Sequence, residues 1–415
     1  MTTPFPPTGA LAGIRVLDLS RVLAGPWCTQ ILADLGADVI KVERPGAGDD
    51  TRHWGPPFLK DVDGHDTDQA SYFTSCNRNK RSVTIDMASK DGQALIRQMA
   101  LQADVLVENF KVGGLARYGL DYAALSALNP RLIYCSVTGF GQTGPYAERA
   151  GYDLMIQAMT GMMSITGRPD EEPGGGPLRV GVALTDLFTG VYASSAVLAA
   201  LHVRSTTGAG QHIDMSLLDV GMAILANQAA GFLATGVAPQ RQGNSHPSLA
   251  PYQDFPTQDG SMLLAIGNDG QFARFCDAAG HPEWAQDPRF ASNSLRVRNR
   301  SALIAAMEAV TRTRDTADWI ALLENKAVPC GPINTIADAF DDAQVKARGL
   351  HLVQERSAGD GIAAIAGVAS PMRLSSNPPV LRHAPPALGQ HTNEVLAELG
   401  LQAGQIDKLR ADGVV

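Results

Sequence analysis

Between residues 14 and 137, short apolar runs alternate with stretches of helical period, and few folds accept that alternation. The runs are IRVLDL (14 to 19), DVIKVE (38 to 43), SVTIDM (82 to 87), VLVENF (105 to 110) and RLIYCSV (131 to 137). Each is short, rich in branched residues and apolar on both faces, the signature of a strand covered on both sides. WCTQILADLG, KDGQALIRQMALQ and DYAALSAL lie between them and repeat their apolar residues at helical spacing. Strands joined through helices run parallel, so the pattern predicts an α/β fold with a doubly wound parallel sheet. Ligands of such sheets bind beyond the carboxyl ends of the strands. The residues there are Ser20 to Pro26, Arg44, Asn109 and Phe110, and Thr138 to Gly141. Arg78, Lys80, Arg81 and Arg117 lie nearby in sequence and are expected to gather cations at the same edge, where arginine forks and helix N-termini suit phosphates.

With 415 residues the chain exceeds the roughly 250 to 300 at which single cores stop growing. We expect residues 1–205 to form the first part of a large domain, 206–235 a linker and 236–325 a smaller α+β domain. Residues 326–415 would then return and complete the large domain. MLLAIG (262 to 267) and helical stretches at 270–279 and 299–325 give the small domain its mixed character, and VPCGPIN (328 to 334) reads as the crossing back.

A net charge of −8 argues against nucleic acid or an anionic membrane as partner. The apolar windows, VYASSAVLAALHV among them, are too short to span a bilayer and read as buried helices. MTTPFPPTGALAG lacks the basic start and apolar core of a signal peptide, so a cytoplasmic location is expected. Five scattered cysteines without Cys-x-x-Cys or histidine partners predict reduced thiols and no metal site. There is no Gly-x-Ser-x-Gly elbow and no Walker loop. GFGQTG (139 to 144) has the spacing of the dinucleotide fingerprint, which keeps an oxidoreductase as a remote alternative, but it follows a late strand and runs into PYAERAGYD rather than an apolar helix. His246, followed by proline, reads as structural. In TGRPDEEPGGGPLRVG three acids, Asp170, Glu171 and Glu172, precede Gly174 to Gly176, the composition of a solvated loop.

SRVLAGPWCTQILADLGADVIKVERPGAGDDTRHWGPPF, SCNRNKRSVTIDM, VLVENF, SVTGFGQTGPYAERAGYD and PPALGQHTNEVL together resemble the class III CoA-transferase family of the CaiB/BaiF type, over nearly the whole chain. The resemblance implies acyl-CoA and small carboxylic acids as substrates, no permanently bound cofactor, and an interlocked homodimer. It places Leu23 and Ala24 by the adenine, with Leu23 standing where family members often carry glutamine. Arg44 would hold adenosine or its phosphates and Ile85 would line the nucleotide. Asn109, Phe110 and Arg117 match further coenzyme A contacts, and Gly139 and Phe140 the turn beside the pantetheine.

The family's nucleophile is an aspartate in a T-G-x-x-D loop, which makes Asp170 the catalytic residue here. A carboxylate can attack a thioester to give a mixed anhydride and CoA thiolate, which recaptures the enzyme acyl group as an aspartyl-CoA thioester. Glycine N–H groups at 174 to 176 or 139 to 141 are candidate oxyanion donors. The nearest rival, an α-methylacyl-CoA racemase, would need a Gly-His-Asp motif. This chain reads Gly151, Tyr152, Asp153, keeping only a later aspartate, Asp186, so Asp153 and Asp186 are expected to be structural. A scaffold that binds coenzyme A without catalysis is the reading from another class. GAGDDTRHWGPPF, GNDGQFARFC, LRVRNR and VPCGPIN look most like the branch that moves CoA from succinyl-CoA to dicarboxylates, and Arg241, Arg296 and Arg298 are candidates for holding a second carboxylate.

Overall fold

The computed structural model describes residues 9–356 and 358–415; the first eight residues of the N-terminal stretch discussed above lie outside the described residues. The chain divides into two compact units, one built from Met1–Thr160, Val180–Ala230 and Gln344–Val415 and the other from Gly161–Arg179 and Gly231–Ala343.

The first unit is organised by six parallel strands: β1 (Arg15–Asp18), β2 (Asp38–Glu43), β3 (Lys80–Thr84), β4 (Val105–Glu108), β5 (Ile133–Thr138) and β6 (His212–Ser216). Their order, β3-β2-β1-β4-β5-β6, reverses direction between β1 and β4, which opens a crevice at the carboxyl ends of those two strands. Residues 206–235, expected as a linker, supply β6, which continues the sheet from Tyr134↔His212 to Thr138↔Ser216. Strand pairing beyond β5 gives this segment its place at the edge of the sheet.

Alternation along each strand builds two cores. Leu17, Ile40, Val83, Leu106 and Tyr134 face one side of the sheet, where helix Lys90–Gln102 and the C-terminal Val395, Leu396 and Ile406 cover them. Val16, Val39, Val105, Ile133 and Cys135 face helix α1 (Ala24–Asp34) and helix α2 (Leu184–Thr207). Helix α2 is long and apolar enough to cross a membrane by composition alone. Its Ala193, Val197 and Ala200 enter the core, while Phe188, Val191, Tyr192 and Leu198 remain exposed.

Toward the carboxyl edge the α1-facing side changes from apolar to charged. Lys41 donates to Ser20 O at 2.8 Å and to Asp49 at 2.9 Å. Lys80 donates to Asp18 at 3.1 Å, to Pro26 O at 2.9 Å and to Asn77 at 2.8 Å. Glu43 takes Arg52 in a two-pronged pair and the Ser82 hydroxyl at 2.6 Å. Lys41, Lys80, Asp18 and Asp49 have fully buried side chains. The expectation that Arg78, Lys80 and Arg81 join a cationic ligand edge is therefore corrected. The register Val16↔Val39↔Lys80 puts the Lys80 backbone toward the amino end of the sheet, and only its buried amine reaches Asp18 and Pro26 O; Arg78 is paired with Asp34, and Arg81 with Asp38, Glu394 and Glu398. A buried charge is stable only when paired, and these cations hold acids of their own fold.

The second unit has an antiparallel sheet of β7 (Tyr252–Pro256), β8 (Ser261–Ala265) and β9 (Cys330–Pro332), with β8 central. VPCGPIN thus supplies an edge strand rather than a crossing. Phe255, Leu264, Phe272, Phe275, Leu303 and Trp319 form the core of this unit.

Burial alone would raise the Asp18 carboxyl, but Lys80, Lys41 and hydroxyls of Ser20 and Thr29 outweigh it and hold it at about 2. Because the folded value lies below the usual carboxylate range, this stabilisation is complete above pH about 4 and is lost as pH falls toward 2. Removing one member of a buried pair strands the other, so Lys80→Met is expected to cost about 3–5 kcal/mol at pH 7, with part of that loss returning near pH 2. Denaturant midpoints at the two pH values measure both effects.

Candidate active site

The loop after β1 meets the crevice, and its backbone is held by side chains from four other segments. Asp18 accepts the Ser20 N–H at 3.0 Å, and Lys41 donates to the Ser20 carbonyl. The Asn109 side chain brackets Arg21, accepting its N–H at 2.9 Å and donating to its carbonyl at 2.7 Å. Asp49 accepts the Val22 N–H at 3.2 Å, and the Cys76 thiol donates to its carbonyl at 3.6 Å. Val22 lies at φ 71°, in the left-handed region. For a β-branched residue that conformation costs on the order of 1–3 kcal/mol and persists only where surroundings determine it, as they do here.

Leu23 and Ala24 follow at the start of α1, both buried. Arg44 is exposed just past β2, its carbonyl accepting from Gly48 N–H at 2.9 Å. Ile85, just past β3, has its side chain in the core, so only its backbone edge can face a ligand. Phe110 and Asn109 end the β4 loop half-buried; Asn109 acts here as a strap between loops. Arg117 is exposed over the Tyr118 ring at 4.5 Å. Gly139 and Phe140 are buried at the end of β5, where GFGQTG continues into turns and not a helix, so the dinucleotide fingerprint lacks the N-terminus that would receive a pyrophosphate. Glu43, which could have mimicked a ribose-binding acid, is committed to Arg52 and Ser82.

Two residues of this edge were not singled out by sequence. Arg21 projects from the pinned loop, with its guanidinium 5.4 Å from the Phe110 ring and 3.1 Å from Asp50. Glu108, the last residue of β4, accepts the Phe110 N–H at 2.8 Å. Burial pushes its carboxyl up to about 7 despite hydrogen bonds from Ser136 and Phe110. The available signal was a charge inside a run otherwise apolar, as in VLVE, DVIKVE and IRVLDL.

Asp170 lies in the second unit, on a loop folded back on itself. Leu178 N–H donates to Thr166 O at 2.9 Å, Gly175 N–H to Glu172 O at 2.8 Å and Gly176 N–H to Arg168 O at 3.3 Å. Of the candidate oxyanion donors at 174 to 176, Gly175 and Gly176 are therefore engaged within the loop. Gly175 is needed for close approach, since a Cβ there would sit 2.2 Å from Pro169 O and 2.9 Å from the Asp170 Cα. Gly167, at φ +122°, likewise makes room for Gly176 O and for the Arg241 stem. Arg241 pairs with Asp170 through Nη2, while Nε donates to Arg168 O at 3.1 Å and Nη1 to Ser164 O at 3.3 Å. The Asp170 side chain is 72% exposed and that of Arg241 13%. Glu171 and Glu172 are exposed neighbours. Beside this loop, Thr166, Arg168 and Arg179 share with Asn244, Ser245 and Gln253 the lining of a cavity of about 660 Å³.

Of the arginines considered for a second carboxylate, Arg296 is corrected: it is fully buried and donates to Ala250 O, Phe290 O and Asp269. Arg298 is exposed. In the first unit Asp153 accepts from Thr185 N–H at 2.8 Å, the Thr185 hydroxyl at 2.6 Å and Gln157 at 2.6 Å, a structural role that ties two helix starts.

Residues 11–392 match the family model described as CoA-transferase family III. The chain is similar to the succinate–glutarate CoA-transferase of Agrobacterium fabrum, 51% identical over 94% of this chain and 95% of that protein. It is also similar to human succinyl-CoA:glutarate CoA-transferase, 42% identical over 98% of this chain and 90% of the relative. A crystal structure of a CaiB/BaiF family protein from Brucella suis superposes with a TM-score of 0.82 at 50% identity, covering 94% of this chain and all of the other.

The raised Glu108 carboxyl has a measurable consequence. A folded value above the ordinary one means the folded protein binds the extra proton, so this group favours folding below pH about 4.5 and opposes it as pH rises to about 7. Glu108→Gln, which keeps an oxygen for the Phe110 N–H, is expected to raise stability at pH 8 by about 1–3 kcal/mol and to leave it nearly unchanged at pH 4.5. Thermal or denaturant midpoints at both pH values check the difference.

Proposed function

Because the chain belongs to CoA-transferase family III, we propose that it carries coenzyme A from succinyl-CoA to a dicarboxylate, with Asp170 as the covalent nucleophile. The activity class follows from membership; the substrate pair is supported by relatives that act between succinyl-CoA and glutarate. One observation carries the assignment of Asp170: among the three adjacent acids of its loop, it is the one whose carboxylate an arginine grips while most of its surface stays open to solvent.

In this reading the first unit takes the nucleotide at the β1–β4 crevice through Leu23, Ala24, Arg44, Ile85, Asn109, Phe110, Arg117, Gly139 and Phe140. Exposed Arg44 and Arg117 supply charge for phosphates in an otherwise acidic protein. Asp170 attacks the donor thioester, the C–S bond breaks, and CoA leaves as thiolate. The thiolate attacks the carbonyl carbon of residue 170 in the mixed anhydride and displaces the donor acid. The acceptor carboxylate then repeats both steps in reverse. One thioester is exchanged for another, so the cycle needs no ATP. An interlocked homodimer is part of the reading, and the exposed apolar residues of α2, Phe188, Val191, Tyr192 and Leu198, support a covered face there. The enzyme would act on soluble thioesters and acids in the cytoplasm.

A second reading, the racemase, has one observation in its favour: burial, helped by Asp153, pushes Asp186 up to about 7, a value suited to proton transfer. Tyr152 stands where that reading needs a histidine, and Asp153 is committed to Thr185 and Gln157.

The test is to incubate wild type and Asp170→Ala with succinyl-CoA and a panel of dicarboxylates, and to weigh the acyl-CoA products. Wild type should form the acceptor thioester, and Asp170→Ala should lose at least about a thousandfold in rate, as removal of a covalent nucleophile does. Full activity in the variant would refute the covalent role. Deuterium uptake at the α-carbon of a 2-methylacyl-CoA at a catalytic rate would move the assignment to the racemase.

A further inference from the structure

We propose that Arg241 is a catalytic residue of this transferase, the oxyanion donor for the steps in which the enzyme's own acyl group is attacked. The inference rests on Asp170 being the nucleophile and goes beyond it, because it assigns the group that stabilises charge on residue 170 itself. Arg241 donates through Nη2 to Asp170 Oδ1. Only the acid of this pair is open to solvent: the Asp170 side chain is 72% exposed and that of Arg241 13%, so a largely buried guanidinium is turned toward a reachable carboxylate.

Two backbone carbonyls, Arg168 O and Ser164 O, fix the guanidinium through Nε and Nη1, and its stem packs over Gly167. Arg241 is thus positioned by backbone and not by the charge of Asp170. When acylation neutralises that carboxylate, the donor stays where it was, which is what preorganised stabilisation requires.

The electron count shows when it acts. Asp170 attacks the donor with one oxygen, which becomes the bridging atom of the anhydride; the oxygen held by Arg241 becomes the carbonyl of residue 170. Thiolate addition to that carbonyl carbon pushes an electron pair onto the held oxygen. The pair returns as the bond to the bridging oxygen breaks and the donor acid leaves as a carboxylate. The acceptor carboxylate's attack on the aspartyl thioester places charge on the same oxygen, with CoA thiolate departing. Attack on the donor's own thioester carbon places charge elsewhere, beyond this donor. Arg241 therefore accelerates two of the four additions, those at residue 170. It follows that Arg241, considered from sequence as a holder of the acceptor's second carboxylate, is already committed.

The experiment compares Arg241→Ala, Arg241→Lys and Asp170→Ala with wild type, using succinyl-CoA and glutarate. For Arg241→Ala, kcat is expected to fall about 10²- to 10³-fold, the loss typical of one oxyanion donor, with KM for succinyl-CoA nearly unchanged. The ratio of free CoA thiol released to glutaryl-CoA formed should rise, since the anhydride still forms but waits longer for recapture and meets water. Arg241→Lys, which restores a charged donor, should recover about tenfold or more over Arg241→Ala. A kcat within about threefold of wild type in Arg241→Ala, with Asp170→Ala inactive, would overturn this inference and leave the nucleophile assignment standing. An active Asp170→Ala would remove the nucleophile assignment and this inference with it. A loss of transfer with an unchanged thiol ratio and a lowered melting temperature in both Arg241 variants would mark a structural role and also overturn it.

Discussion

The buried charges of Lys41, Lys80, Asp18, Asp49 and Glu43 are what the carboxyl edge of the large sheet depends on. Each amine is surrounded by acceptors: Lys41 by Ser20 O and Asp49, Lys80 by Asp18, Pro26 O and Asn77. Such a network is unforgiving, because loss of one partner leaves an unpaired charge in a dry interior. It also transmits position. Lys41 and Asp49 hold the β1 loop from below while Asn109 straps it from β4, and Val22 is kept in a conformation it would not choose alone. A loop so determined is ordered before any ligand arrives, which lowers the entropic cost of whatever binding it takes part in.

The Asp170 loop is built on a different principle. Most of its residues are exposed, and glycine and proline interrupt it. Shape comes instead from backbone hydrogen bonds across the loop, from two glycines that permit close approach, and from one arginine that reads two carbonyls and the carboxylate together. The Asp170 side chain stays reachable from solvent, 72% exposed, although an arginine holds it. Fixing an exposed side chain therefore falls to the backbone around it.

Much of the architecture was legible before any coordinates. The parallel sheet followed from five apolar runs, since a strand covered on both faces has no polar side to show. The helix predicted from KDGQALIRQMALQ spans Lys90–Gln102, capped by Ser89. The elements that were misread are those whose sequence is short or polar. Cys330–Pro332 reads as a crossing because three residues with a proline carry no period; His212–Ser216 is strand-like in its own sequence, and only the fold shows that it completes the large sheet. The charges were misread for another reason. Arg78, Lys80, Arg81 and Arg296 look like surface cations in a list of residues, and only the fold shows acids and carbonyls around each.

By itself the sequence determined the strand-helix alternation, the resemblance to a transferase family through its N-terminal block, and Asp170 as the acid at the end of T-G-x-x-D. All are local, carried by period, spacing and residue type. The tertiary structure alone decided that Asn109 is a strap, that Gly175 and Gly176 turn their N–H groups inward, and that Arg241, 71 residues away, grips Asp170. Those outcomes depend on which groups meet after the chain has folded. A hydrogen bond reaches about 3 Å whatever the separation along the chain, so no pattern in sequence can encode it directly.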